Sequence, residues 1–214
     1  MESTNLKSSI IWHTEALPDD TLRALDVLSK QSWLKKSDWY LAGGTALALY
    51  AGHRQSIDLD FFTPRGTFSV GPLLDRFKNV EWKPTISERG TVYGNLLQAK
   101  VSFIAYPFFQ RAGKPRWYGH VRVLAPEDVA VMKIIAISQR GRKRDFVDLF
   151  WYVQNGESLI EIIKKLPRQY PNIAHNYHHI LESMMYFTDA EAAPMPKLFF
   201  DADWKTIRAY FEKE

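Results

Sequence analysis

Two aspartates, Asp58 and Asp60, stand one residue apart in the segment Ser56-Ile57-Asp58-Leu59-Asp60-Phe61-Phe62. If this segment is a strand, its side chains alternate between faces. Asp58 and Asp60 then share one face, and Ile57, Leu59 and Phe61 share the other. The carboxylates lie side by side, with Cα atoms roughly 7 Å apart. Like charges held that close are usually kept ionised by a divalent cation. An oxygen-only ligand set favours Mg²⁺ or Mn²⁺ over zinc. A lone Asp-x-Asp is more often a solvated strand face, so the segment upstream carries weight. There a strand over 39–42 runs into Gly43-Gly44, and Thr45 opens an apolar helix that ends at Gly52. Glycines let the backbone approach a phosphate, a helix N-terminus offers free N–H groups, and Thr45 adds a hydroxyl. A plain tight turn has the same signature. A phosphate cradle followed by a carboxylate pair is more specific than either half and reads as a triphosphate site.

The elements that must position these residues follow from periodicity. The pattern predicts helices over 19–36 and 69–79 and strands over 39–42 and 56–62. Residues 80–106 read as a three-strand meander with turns near Gly90 and Gly94. Residues 107–118 read as a loop and 120–124 as a strand. From Pro126 onward only helical patterns occur, over 126–139, 143–154, 157–167, 172–187 and 203–212. This places a boundary near residue 125, with an α/β unit over 1–125 and a helical unit over 126–214.

The chain has 214 residues, a net charge of +4 and no cysteine. The absence of cysteine excludes disulfides, thiolate zinc sites and cysteine nucleophiles, and it fits a cytoplasmic location. The start of the chain has an apolar run of only Ile10 to Trp12 and does not read as a signal peptide. No apolar stretch approaches the ~20 residues of a membrane helix. Between Lys133 and Arg144 every charged residue is basic. Arg140, Arg142, Lys143 and Arg144 could bind nucleic-acid phosphate, or form a soluble turn at a helix C-terminus. His175, His178 and His179 have helical spacing, but surface histidines are the more ordinary reading. Trp151, Tyr152, Tyr177, Phe187, Phe199 and Trp204 read as core, with base stacking as the alternative.

The run Leu41-Ala-Gly-Gly-Thr-Ala-Leu-Ala-Leu, followed by His53-Arg54-Gln-Ser56-Ile-Asp58-Leu-Asp60-Phe-Phe, resembles the first motif of the nucleotidyltransferase superfamily. The closest match is the AbiEii/AbiGii-type toxin branch. The segment from Lys133 through Arg140 and Arg144 to Asp145 and Asp148 resembles later motifs of that branch. The resemblance implies an α+β fold: a small mixed sheet flanked by helices, then a helical C-terminal domain. It implies transfer of a nucleotide from an NTP to an acceptor, RNA (tRNA) or protein, with Mg²⁺ or Mn²⁺ on Asp58 and Asp60. Gly43, Gly44, Thr45, Arg54, Ser56, Lys133 and Arg140 would bind the nucleotide. Lys133, Asp145 and Asp148 would join the two aspartates in catalysis. A cognate antitoxin or transcriptional regulator is the implied partner. In one respect the chain departs from the pattern. A third carboxylate is expected on the strand over 98–104, where Ser102 stands instead. Either two carboxylates suffice, or Asp145 or Asp148 supplies the function, or the chain is an inactive nucleotide- or RNA-binding module. A small-molecule nucleotidyltransferase of the aminoglycoside type is a weaker alternative.

Overall fold

The computed structural model describes residues 11–214, so Ile10 of the initial apolar run lies outside it. After a 3₁₀ turn at Thr14–Ala16 come α1 (Asp19–Ser29), α2 (Ser32–Lys35), β1 (Tyr40–Ala42), α3 (Gly43–Ala51) and β2 (Asp58–Thr63). Then follow α4 (Val70–Asp75), β3 (Trp82–Glu88), β4 (Thr91–Leu96), β5 (Ala99–Ala105), β6 (Arg116–Tyr118) and β7 (Val121–Val123). The remainder is helical: α5 (Pro126–Arg140), α6 (Lys143–Asn155), α7 (Leu159–Ile163), α8 (Leu166–Gln169), α9 (Tyr177–Met184), α10 (Thr188–Glu191) and α11 (Trp204–Lys213).

The seven strands form one mixed sheet in the order β3-β4-β5-β2-β1-β7-β6. β2 lies at its centre, parallel to β5 and antiparallel to β1. Its alternation is complete. Leu59 and Phe61 are fully buried, whereas Asp58 and Asp60 share the other, partly exposed face. α3 is apolar all round, and Ala46, Leu47, Ala48 and Leu49 have no exposure, as befits a helix enclosed by other elements. α5 packs on α3 and α6. One apolar cluster therefore runs from Leu17 to Phe211 through strands and helices alike. The change of element type falls at Pro126, which opens α5 with Glu127 and Asp128 in its first turn.

Several elements are shorter than periodicity suggested. The helix over 19–36 is broken at Lys30 and Gln31, and α4 ends at Asp75 before a series of turns. Pro167, near the start of α8, lacks the N–H that α7 would need to continue through it, so 157–167 splits. Only 177–184 is helical within 172–187, because the Asn176 side chain caps the backbone N–H of His179 and sets the start. The loop over 107–118 contains β6, which pairs with β7. Gly94 is not a turn: it lies inside β4 opposite Pro84. There a Cβ would come within 2.5 Å of the Trp82 ring and 2.8 Å of the Lys83 carbonyl. Gly94→Ala is therefore expected to destabilise the fold by about 1–3 kcal/mol through overpacking. Urea denaturation measures this, and an unchanged midpoint would contradict the close approach.

Candidate active site

A cavity of about 540 Å³ lies between the polar face of the sheet and the helices α5 and α6. Its floor is a cross-strand row. Ile86 of β3 is in register with Tyr93 of β4, Tyr93 with Ser102 of β5, and Ser102 with Asp60 of β2. Asp58 lies two residues back on the same face, beside Lys100. The opposite wall carries Lys133 and Arg140 of α5, with Arg142 and Arg144 beyond. Carboxylates on one wall thus face four cations on the other.

Each carboxylate of the pair has one oxygen engaged. Ser102 Oγ donates to Asp60 Oδ1 at 2.6 Å, and Arg144 Nη1 donates to Asp58 Oδ2 at 2.8 Å. The register places Ser102 where a third carboxylate was expected. Gly43 closes the site at the end of β1. Its φ of 66° is left-handed, and a Cβ there would sit 3.2 Å from Asp60 Oδ2. Gly44 lies against Arg54 instead: a Cβ would fall 2.0 Å from its Nη2. The Thr45 hydroxyl is buried and shared between Ser56 Oγ and the Asp58 carbonyl. Thr45 and Ser56 thus brace the start of β2.

Behind the cavity wall lies a buried charge cluster. Asp148, with no side-chain exposure, accepts from Arg54 Nε at 2.5 Å and Nη2 at 2.8 Å, and from His53 Nε2 at 2.7 Å. Lys133 Nζ lies 2.6 Å from both Asp145 Oδ1 and Asp148 Oδ2. Arg140 Nε reaches Asp145 Oδ2 at 3.3 Å. Of the residues expected at the site, Gly43, Asp58, Asp60, Lys133 and Arg140 line the cavity. Gly44, Thr45, Arg54, Ser56, Asp145 and Asp148 stand behind it.

Residues 26–86 and 104–214 match the family described as nucleotidyl transferase AbiEii toxin, of type IV toxin–antitoxin systems. The chain belongs to the AbiEii nucleotidyl transferase toxin family. It is similar to an uncharacterized protein of Aquifex aeolicus strain VF5, with 34% identity over 187 residues, covering 83% of this chain and 86% of the relative. Among solved structures it is similar to MenT4, a nucleotidyltransferase toxin of Mycobacterium tuberculosis H37Rv. The TM-score is 0.56 at 14% identity, over 94% of this chain and 85% of that one. At this identity the likeness shows the nucleotidyltransferase fold.

In this AbiEii-family chain the two sets of carboxylates differ electrostatically. Burial raises the Asp60 carboxyl above its ordinary range and the Asp58 charge adds to it, against the Ser102 hydrogen bond. Burial alone would raise Asp148 too. The charges of Arg54 and Lys133 and the bonds from His53 and Arg54 outweigh it and hold Asp148 well below that range. Asp145 is likewise lowered, with Lys133 and Arg140 overcoming burial. Burial keeps His53 below its usual value despite Asp148, so it stays neutral.

The sequence reading missed His53 and the contact of Arg144 with Asp58. Arg144 stood in the basic run, but nothing in spacing tied it to β2. The three histidines do not converge: His175 meets the Tyr170 carbonyl, His178 pairs with Glu182, and His179 meets the Ser138 carbonyl. Among the described residues no cluster of three metal-ligating side chains occurs. Of the six aromatics, Tyr152 and Phe187 are buried and Trp151 and Trp204 partly so, but Tyr177 and Phe199 are exposed.

The contrast sets opposite outcomes for two isosteric changes. A carboxyl raised in the folded state costs stability above its unfolded pKa, so Asp60→Asn should raise the melting temperature in EDTA at neutral pH. Asp148 is lowered, so its contribution is present at neutral pH and is lost as pH falls through the acid range. Asp148→Asn leaves Arg54 and Lys133 short of a buried partner and should cost about 3–5 kcal/mol. Thermal melts in EDTA compare the two, and a fall in both would refute the assigned electrostatics.

Proposed function

We propose that this protein transfers a nucleotide from an NTP to an acceptor, as the toxin of a toxin–antitoxin pair. The observation that carries this reading is the cleft itself, in which Asp58 and Asp60 face Lys133, Arg140 and Arg144 across a cavity of nucleotide size. The donor set fits a hard divalent cation. Asp58 Oδ1 and Asp60 Oδ2 take no hydrogen bond among the described residues. Mg²⁺ needs few protein ligands when phosphates supply the rest. Held there, Mg²⁺ or Mn²⁺ would neutralise charge on the phosphates.

The chain's own residues do the remainder. Gly43 leaves room for the triphosphate beside Asp60, and Lys133 and Arg140 offset charge on its outer phosphates. Asp145 and Asp148 act as positioning residues: they fix Lys133 against the cavity wall and are themselves tied in ion pairs. Gly44, Thr45, Ser56 and Arg54 hold the turn and the start of β2. An acceptor oxygen forms a bond to the α-phosphorus, the α–β bridging P–O bond breaks, and pyrophosphate leaves. The acceptor proton passes to water in the open cleft. Such transfers depend mostly on position and charge. The acceptor is RNA, such as a tRNA end, or a protein. A cognate antitoxin or regulator is the expected partner, and a cytoplasmic NTP pool the expected setting. No helix among the described residues is long and apolar enough to cross a membrane.

Ser102 favours a second reading, an inert nucleotide- or RNA-binding module. One assay separates them: Mg²⁺, each labelled NTP, total RNA and total cell protein. Transferred label supports the enzyme, and binding without transfer supports the module. Asp58→Asn or Asp60→Asn should lower transfer by orders of magnitude with the fold intact. Near-wild-type rates in both would remove the cleft from consideration. Ser102→Asp should tighten Mn²⁺ binding in calorimetry while lowering metal-free stability, since a third carboxylate then faces Asp60. Weaker binding by a folded variant would contradict this placement.

A further inference from the structure

Of the four cations on the wall opposite the paired aspartates, Arg144 is the one bonded to the pair among the described residues. Lys133 is held by Asp145 and Asp148, and Arg140 by Asp145. Arg144 stands in the first turn of α6 and reaches across to β2, where it donates to Asp58 Oδ2 at 2.8 Å. Both partners keep some exposure, whereas Lys133 and its carboxylates are buried. A guanidinium does not lose its proton, so it brings a permanent positive charge to that carboxylate. With Arg144 in place, the pair offers a divalent cation one uncompensated charge instead of two. The same charge repels a cation that approaches Asp58 Oδ1 and Asp60 Oδ2.

The same side chain also suits a phosphate. The planar fork of a guanidinium matches carboxylate and phosphate alike, and Arg144 lines the cavity in which Asp58 stands. A triphosphate in the cleft therefore competes with Asp58 for it. Once phosphate oxygens take the arginine, Asp58 regains its full charge at the moment a phosphate-bound cation arrives.

We propose that Arg144 holds the place of the metal ion at Asp58 and yields it to a metal-bound triphosphate, so that free metal binds poorly and the two enter together. The identity of the triphosphate rests on the nucleotidyltransferase reading; the competition between Arg144 and a cation for Asp58 does not.

Two titrations of the full chain test this. The first follows Mn²⁺ without nucleotide, by electron paramagnetic resonance of the free ion. Arg144→Ala should bind Mn²⁺ about tenfold more tightly than wild type, because a like charge a few ångströms away is removed. Arg144→Gln keeps most of the side-chain length and should shift in the same direction if Arg144→Ala melts early. Arg142→Ala removes an exposed cation from the same wall and serves as the charge control. It should shift the affinity by less than about threefold, since exposed charge is screened. The second titration follows inorganic triphosphate by calorimetry in metal-stripped buffer. There Arg144→Ala should weaken binding about tenfold, through loss of a charged hydrogen bond.

Opposite shifts of the two ligands support the proposal. A merely structural arginine would lower the melting temperature without tightening Mn²⁺ binding. Mn²⁺ affinity unchanged or weaker in folded variants, a gain no larger than that of Arg142→Ala, or undiminished triphosphate binding would each overturn it. Label transfer in the preceding assay reports separately on the reaction. Transfer without these shifts removes only the role of Arg144, and the shifts without any transfer remove only the enzyme reading.

Discussion

The architecture around the cleft depends on the burial of Asp148. A carboxylate with no exposure must be neutralised and hydrogen-bonded, or it unfolds what surrounds it. Its partners come from two places in the chain, His53 and Arg54 after α3 and Lys133 on α5, while Asp148 itself stands on α6. Satisfying one charge therefore draws together the end of α3, the lead into β2 and the two helices that face the sheet. Gly44 belongs to the same constraint, since the Arg54 guanidinium occupies the space its side chain would need. The glycine pair does two jobs. Gly43 supplies a left-handed turn against Asp60, and Gly44 admits the arginine that anchors α6.

The sheet contributes the other half. Because β2 and β5 are parallel and in register, Asp60 is matched to Ser102, and the antiparallel β4 adds Tyr93 to the same row. The face that carries the carboxylates is thereby continued across the hairpin of β3 and β4, through Tyr93 to Ile86. Nothing in the carboxylate motif itself reports that extension. It arises from pairing, which joins residues distant in sequence.

That distinction explains what could be read beforehand. The alternation in 56–62 placed Asp58 and Asp60 on one face, and the same argument put Ser102 beside them. Local signals also marked Gly52, where α3 ends, and Pro126, where α5 begins. What escaped was decided at long range. The resemblance gave the Asp145 and Asp148 carboxylates a part in catalysis, but a spacing of three on a helix says only that they share a side. The partners of Asp148, Arg54 and His53, lie more than ninety positions away, and only the fold reveals that this acid is spoken for; Asp145 is held by Lys133 and Arg140, nearer in the chain. The Thr45 hydroxyl is a similar case. Its residue type suits a phosphate, but the adjacent strand claims it first.

The two carboxylate sets also differ in how firmly their cations are bound. Lys133 and Arg54 are locked on Asp148 in a buried, hydrogen-bonded array, and breaking it leaves uncompensated charge. Arg144 and Asp58 keep 34% and 23% of their side-chain surface exposed. A pair partly open to water is held less firmly than one with no exposure. Arg144 can therefore leave Asp58 at less cost than Lys133 can leave Asp148, and Lys133 stays where α5 and α6 fix it. Asp60, disfavoured by burial and by Asp58, gains most from any cation that enters between them. The same protein surface thus combines a rigid charged frame with one exchangeable arginine beside the paired aspartates.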